Sequence, residues 1–541
     1  MTRPTLPLPD LLRAAPRPDP DPELVAELLE TPFLEPGELG VSREAKAPAP
    51  TSPWQPEFFR QDLYLDELLA DAFQLHLDGR RYRVHGRFLA RVWGHPPVDL
   101  ETIELRQGIL RELVENEALR KRAEQLYRRL TSLLGLFKSP RSAQLDVRAH
   151  RLEILETARQ VVDVMVEDFA GAASGLRRIH EAGLAIGQTG EWRTLLALLD
   201  YDMNLVRLTV DLSIGADGSL RAFELKKLAE NETNRFHRGP LQRWLDKARL
   251  LWRGVPLSSK EVASRLILEV YLELAPAVRS LVQVAGHLEV YLASLAFRDW
   301  AGRLGLDVCL AEVAADAPPS FERLFNPLLA RQGIVPVPCD LAVGHRRATV
   351  LITGPNSGGK TRLLQALGIA QMLGQCGLFT PAARARLPLV QGLFASILDH
   401  EGADQAEGRL GTELVRIREL FERARPGSFV LLDELCSGTN PSEAVEIFSM
   451  VLQLLERLEP VAFISTHFLD FARELAAAPP IPHLELLQVE IDARRRSTYQ
   501  FVPGVADTSL AADVARRLGV SFEELSRLLE ARGRAAGTPS S

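Results

Sequence analysis

From Phe58 to about Trp300, apolar residues recur at spacings of three and four, the period of a helix with one buried stripe. Leu63, Leu65, Leu68 and Leu69 open the pattern, and Leu100, Ile103, Leu105, Ile109, Leu110 and Leu113 begin a long helix predicted to continue past Leu130. After a break at Ser139-Pro140 a second long helix runs from Leu145 through Ile154, Val161, Val164 and Phe169. A third starts at Ser258, where Ser258 and Glu261 form a capping box, and continues to Leu295 with a kink expected at Pro276. The stripes predict mutual helix packing. One segment breaks the period. Val206, Leu208, Val210, Leu212 and Ile214 alternate with polar residues, Gly215 to Gly218 turn the chain, and a second strand runs from Leu220 to about Leu228: a β-hairpin with one buried face and a polar face that is solvated or touches a partner.

The pattern changes again at Ala348. The β-rich run Ala348 to Thr353 leads into Gly354-Pro355-Asn356-Ser357-Gly358-Gly359-Lys360-Thr361, and a helical pattern from Arg362 to Leu373 follows. Strand, glycine-rich loop and helix in that order make a phosphate cradle: loop amides turn inward, Lys360 adds a point charge, and the helix N-terminus adds its dipole. About 70 residues on, Ser428 to Leu432 form an apolar strand ending in Asp433-Glu434. Paired with the cradle, Thr361 and Asp433 are candidates to hold Mg2+ against a triphosphate, and Glu434 to orient or deprotonate the attacking water. A further apolar strand, Val461 to Ser465, ends at His467, placed to sense the terminal phosphate; between the two lies Leu435 to Glu443, a turn and helix start that could face a second subunit.

The bulk numbers narrow the picture. A chain of 541 residues holds two or three domains, and a formal charge of −7 excludes a generally basic nucleic-acid coat, so any DNA contact is a local patch. Of the basic clusters, Arg120 to Arg122 with Arg128-Arg129 is interleaved with glutamates and reads as a solvated helix face; a third is Arg494 to Arg496. Arg80, Arg81 and Arg83, which flank Tyr82, suit a phosphate backbone better. Cys309, Cys339, Cys376 and Cys436 have no zinc or disulfide spacing. With no leader pattern and no uncharged run long enough for a bilayer, a cytoplasmic protein with no membrane partner is expected.

Together, Gly354 to Thr361, Asp433-Glu-Leu-Cys-Ser-Gly-Thr-Asn-Pro-Ser-Glu443 and Ser465-Thr-His467 resemble the ATPase domain of the MutS family of DNA-repair proteins, in the form of the branch without mismatch recognition. Asn326-Pro-Leu-Leu329 is similar to the family's His-Pro-Leu-Leu entry, and Tyr499 to Ser509 with Ala515 to Val520 to its closing strand and helical pair. The resemblance is specific over about 320 to 525 and weaker over the helical half. It implies an ATPase using ATP and Mg2+, with Gly354 to Arg362 at the nucleotide, working as a homodimer in which Gly408, Arg409, Leu410, Gly411 and Thr412 form a signature loop that completes the partner's site. Relatives carry serine where this chain has Gly411 and an aromatic where it has Glu413, which puts the turnover rate in question rather than ATP binding. Phe33-Leu-Glu35 matches the letters of the family's mismatch wedge, but no domain surrounds it; nor is a small MutS-related nuclease domain expected after Leu529.

The expected fold class is therefore multidomain: a mainly α-helical core and lever region with a β-hairpin insertion, then an α/β P-loop ATPase domain of ABC type with a C-terminal helical pair. The expected boundaries are a flexible proline-rich tail at 1–54 with one helical turn around Glu23 to Leu29, the helical region at 55–319, the ATPase at 320–530, and a flexible tail at 531–541. Two readings stay open: ATP-driven clamping of DNA, branched or recombining duplex above mismatches, and an ATP-gated interaction protein acting on a protein or ribonucleoprotein such as the ribosome.

Overall fold

The structure, a computed structural model, describes residues 7–17, 20–29, 54, 61–82, 84–138, 147–190, most of 192–199, the backbone of 206–214 and 220–230, parts of 268–280, and then 281–397, 408–436, 440–507 and 522–536. The chain divides into two compact units, one of residues 1–42 and 108–292 and the other of 43–107 and 293–541. Residues 61–107 and the strands that begin at Cys309 fall in the same unit as the P-loop segment, whereas the ATPase is expected from 320.

In the first unit, helix Glu117–Lys138 packs on Val147–Asp168, which packs on Arg177–Gln188. Asn116 separates Glu117–Lys138 from the preceding helix, accepting a bond from Leu119 N (3.0 Å) as its cap. Arg120 pairs with Glu124 and Lys121 with Glu117 one turn away, the solvated face read from sequence. Strands Val206–Ile214 and Leu220–Glu230 pair antiparallel with two register shifts; which face is solvated lies outside the described residues, as do the Ser258–Glu261 box, Pro276 and Phe33 to Glu35. The third helix is interrupted at Leu281 and resumes as Val282–Arg303. Its span Ala277–Arg303 is long and apolar enough to cross a membrane by length and composition, contrary to expectation, yet 89% of that window is buried inside protein.

The N-terminal stretch departs most from expectation. Residues 7–17 are not a loose tail: Arg178 donates to the carbonyl oxygens of Asp10 (2.7 Å), Arg13 (2.6 Å) and Ala14 (2.7 Å). The Asp10 carboxylate accepts from the amides of Leu12 and Arg17, and Leu11 N donates to His287 Nδ1 at 3.4 Å. The Tyr291 hydroxyl donates to Leu11 O. Pro22–Leu29 is a full helix of 8 residues that buries Leu24 and Leu28. Over residues 7–17 the prolines discourage helix and leave backbone carbonyls without helical partners, and one guanidinium satisfies several at once.

The second unit is built on a six-stranded sheet. Its strands and helices in chain order are β1 (Thr349–Thr353), α1 (Lys360–Gln375), β2 (Leu393–Ser396), α2 (Gly408–Arg423), β3 (Phe429–Leu432), α3 (Pro441–Glu456), β4 (Val461–Ser465), α4 (Leu469–Ala477), β5 (Leu484–Ile491) and β6 (Ser497–Pro503). The order is β2-β3-β4-β1-β5-β6, parallel except for the antiparallel β5–β6 hairpin. Strands β1 to β4 are buried along their length because helices cover both faces, which is why they read as unbroken apolar runs. Val430, Leu432 and Ile464 face Phe448, Leu452 and Phe471 of α3 and α4, whereas Leu431 meets α1, where a Cβ on Gly368 would lie 2.9 Å from its side chain.

Two smaller features were also unexpected. A short hairpin pairs Leu75–Leu77 with Arg80–Tyr82 through Asp78 and Gly79, both at positive φ (48° and 72°), inside a segment read as helical. At the other end, Phe522–Ala536 is helix, so the chain to Ala536 is not the tail expected from 531; the first member of the expected helical pair lies outside the described residues.

Candidate functional site

Strand β1 ends at Thr353, and the chain turns through Gly354 (φ 138°) and a short 3-10 turn at Asn356–Gly358 into Gly359 (φ 89°), which starts α1. Those torsions suit glycine alone among common residues. The loop is also moulded from outside: a Cβ at Gly354 or Gly358 would come within 2.7 or 2.9 Å of the Val489 side chain, and one at Gly359 within 3.2 Å of the Tyr499 ring. Hairpin β5–β6 thus presses on the loop. Ser497 Oγ adds a long bond to Gly358 O at 3.4 Å.

Lys360 is 2% exposed and donates through Nζ to Gly354 O (2.9 Å) and Pro355 O (3.2 Å), with Glu434 Oε1 at 3.8 Å. Burial lowers its pKa, and the charges of Glu434 and Asp433 work against that shift. Thr361 Oγ1 donates to Asp433 Oδ2 at 2.7 Å. The other Asp433 oxygen accepts from Ser465 Oγ at the end of β4, and Ser465 Oγ in turn accepts from Glu434 N at 2.9 Å. Burial raises the Asp433 pKa, and the bonds from Ser465 and Thr361 pull it back. Ser465 went unassigned in the sequence; its signal was its place at the end of an apolar strand whose register sets it beside Ile352 of β1.

Glu434 and Cys436 adopt left-handed torsions (φ 47° and 59°), conformations that cost a non-glycine residue roughly 1 kcal/mol or more and gather at functional sites. The turn aims Glu434 at Lys360 instead of continuing the strand. Asn326, at the entry motif, is buried and N-caps Pro327–Arg331 by accepting from Leu328 N (2.9 Å), while its Nδ2 donates to Arg362 O (2.9 Å) and Gln365 Oε1 (3.3 Å) on α1. A cavity of about 490 Å³ opens over Ser357, Lys360, Thr361, Asp433 and Glu434, with Ile334, Val337 and Tyr499 on its apolar side.

Other predicted residues stand elsewhere. His467 follows β4 and packs on Phe468 (ring centroids 4.2 Å apart), outside the cavity lining. Gly408 to Thr412 are not a loop but the opening turns of α2, with Gly411 and Thr412 half-buried; Gly408 and Arg409 are described in backbone only. Residues 437–439 of the turn before α3 lie outside the described residues; Asn440 caps α3 through Ser442 N (3.3 Å). Arg80 and Arg81 are exposed on the short hairpin, Arg81 donating to Gln74 Oε1 (3.1 Å) and Ala70 O (3.4 Å), and Arg83 lies outside the described residues. The Arg494 to Arg496 cluster is the β5–β6 turn, where Asp492 binds both Arg494 N and the Arg496 guanidinium.

The donor set fits magnesium: a hydroxyl and a carboxylate meet at the first residues of a helix, all hard oxygen ligands. Among the described residues no cluster of three His, Cys, Asp or Glu could hold a metal alone.

Comparison with known proteins bears on the same stretch. The family model of MutS domain V matches residues 350–528. An Endonuclease MutS2 of Thermomicrobium roseum is 34% identical over 213 residues, 39% of this chain and 26% of the relative. One of Streptococcus thermophilus is 35% identical over 198 residues (36% and 24%), and one of Streptococcus pyogenes 29% over 246 residues (45% and 30%). The matches thus span 24% to 30% of these relatives' lengths. They show that residues 350–528 are similar to MutS domain V. The endonuclease in the printed name is said of those relatives.

Proposed function

We propose that this protein is a MutS-type ATPase that couples ATP binding and hydrolysis to clamping of DNA, working as a homodimer. The observation that carries the reading is the Thr361–Asp433–Ser465 chain of hydrogen bonds at the mouth of the glycine loop, which joins the start of α1 to the ends of β3 and β4 in one oxygen-rich site beside a buried lysine. The loop amides and Lys360 bind the phosphates, Lys360 exchanging the Gly354 and Pro355 carbonyls for phosphate oxygens. Thr361 and Asp433 would hold magnesium, which would supply neutralisation of the charge on the phosphate oxygens. Glu434, held off the strand by its left-handed torsion, orients the attacking water. His467 reports the terminal phosphate, and Gly411 and Thr412 at the start of α2 meet the partner's nucleotide. Arg80, Arg81 and Arg83 offer a local contact for branched or recombining duplex.

The test is Glu434→Gln. ATP affinity should persist while steady-state hydrolysis falls by about 100-fold or more; hydrolysis at the parent rate would sink the assignment. The net charge of −7 favours a second reading, in which ATP gates contact with a protein or ribonucleoprotein. ATPase stimulation by branched or plain duplex near physiological salt, lost on charge reversal at Arg80 and Arg81, separates the two.

A further inference from the structure

We propose that Asp62 is a positioning residue for ATP hydrolysis, tying helix α2, which carries Gly411 and Thr412, to the P-loop helix α1. This rests on the ATPase reading above.

The geometry begins with a carboxylate 2% exposed. Asp62 Oδ2 accepts from Arg416 Nη1 of α2 at 2.7 Å and from Ile397 N, just past the end of β2, at 3.0 Å. Its own carbonyl accepts from Gln365 Nε2 of α1 at 3.3 Å, and Gln61 Oε1 takes the second Arg416 nitrogen at 3.4 Å. The neighbours continue the strap. Leu63 packs so tightly on α1 that a Cβ on Gly368 would lie 2.9 Å from it, and Tyr64, at a left-handed φ of 49°, lines the cavity over Lys360 and Thr361. One residue therefore bonds to α1, to α2 and to the strand end between them.

Helical geometry turns that bond into control of α2. Thr412 and Arg416 are four residues apart and share a face, so the anchor on Arg416 fixes both the rotation of α2 and where Thr412 stands. Asp62 makes no bond to the loop amides, Lys360 or Thr361, so nucleotide affinity should not depend on it. Turnover should, because it needs α2 presented in one orientation.

The test compares the full chain with Asp62→Ala and with Asp62→Asn, which keeps an acceptor for Ile397 N should the alanine variant fail to fold. Hydrogen exchange in peptides from 408–423 should rise about tenfold or more in Asp62→Ala, mant-ATP affinity should stay within about threefold, and kcat should fall about tenfold or more, with Asp62→Asn between. Asp62→Ala/Arg416→Ala should be no slower than Asp62→Ala alone. Unchanged exchange in α2, or affinity and kcat falling together, overturns the proposal. Absence of ATP turnover in the unsubstituted chain overturns it together with the ATPase reading, whereas turnover that Asp62→Ala leaves unchanged overturns this proposal alone.

Discussion

Two N-terminal stretches dock onto folded elements, one in each unit, and they do so with opposite electrostatics. Residues 7–17 are held by a guanidinium on backbone carbonyls and by a neutral imidazole that accepts an amide bond. Residues 61–64 are held by a buried carboxylate facing a guanidinium. Burial pushes His287 down to about 4, keeping it an acceptor, and pushes Asp62 up to about 6 although Arg416 pulls the other way. Burial disfavours the charged form of both groups, but only the second latch sets a counter-ion against that cost. A docked segment can thus be fixed by hydrogen bonds alone or by an ion pair, and the two fail differently.

The harshest way to break the comparison is Arg416→Ala, which leaves Asp62 an unpaired buried charge and should cost about 3–5 kcal/mol, read from the denaturation midpoint of the unit containing residues 293–541. A cost below about 1 kcal/mol would make the pair ornamental. Arg178→Ala comes next. It strips three carbonyls of their donor, and exchange at the amides of Leu11, Leu12 and Arg17 should rise roughly 30- to 100-fold, an opening cheaper by about 2–3 kcal/mol.

Titration separates the latches by sign. His287, with a folded value of about 4 against 6.5, lets the unfolded chain bind the extra proton, so its contribution grows as pH rises from about 4 to 6.5. Asp62, raised from 3.8 to about 6, contributes fully below 3.8 and loses that contribution as pH rises through about 6. Stability of the parent relative to His287→Gln should therefore climb with pH across that window, and relative to Asp62→Asn should fall; parallel slopes would remove the distinction. The mildest probe is a neutral staple inside the ATPase unit. Asn326→Ala removes a cap and two donors to α1, and about 1–2 kcal/mol in thermal unfolding is expected.

What was legible in the sequence was local. Gly354 to Thr361, the acids after Leu432 and the alternation of residues 206–214 each encode their structure within a few residues, and the structure places strand, loop and helix as read. Long-range satisfaction of polar groups leaves no such trace. Asp62 bonds to partners 303, 335 and 354 residues away, so nothing around it distinguishes it from a surface aspartate. The proline-rich N-terminus misled for the same reason, since the order of residues 7–17 is supplied by Arg178, His287 and Tyr291. Gly408 to Thr412 are expected as a loop from the family resemblance, yet the stripe of buried Glu413, Arg416, Ile417 and Leu420 makes them the start of a helix.

The placement of β1 also has a consequence for how the molecule is made. β1 lies between β4 and β5, and Val489 closes over Gly354 and Gly358. A growing chain that has just released Thr353 must wait for residues 461–491 before the loop has either neighbour, roughly 10 s at ordinary rates of synthesis. The phosphate cradle is therefore shaped well after its own residues have been made.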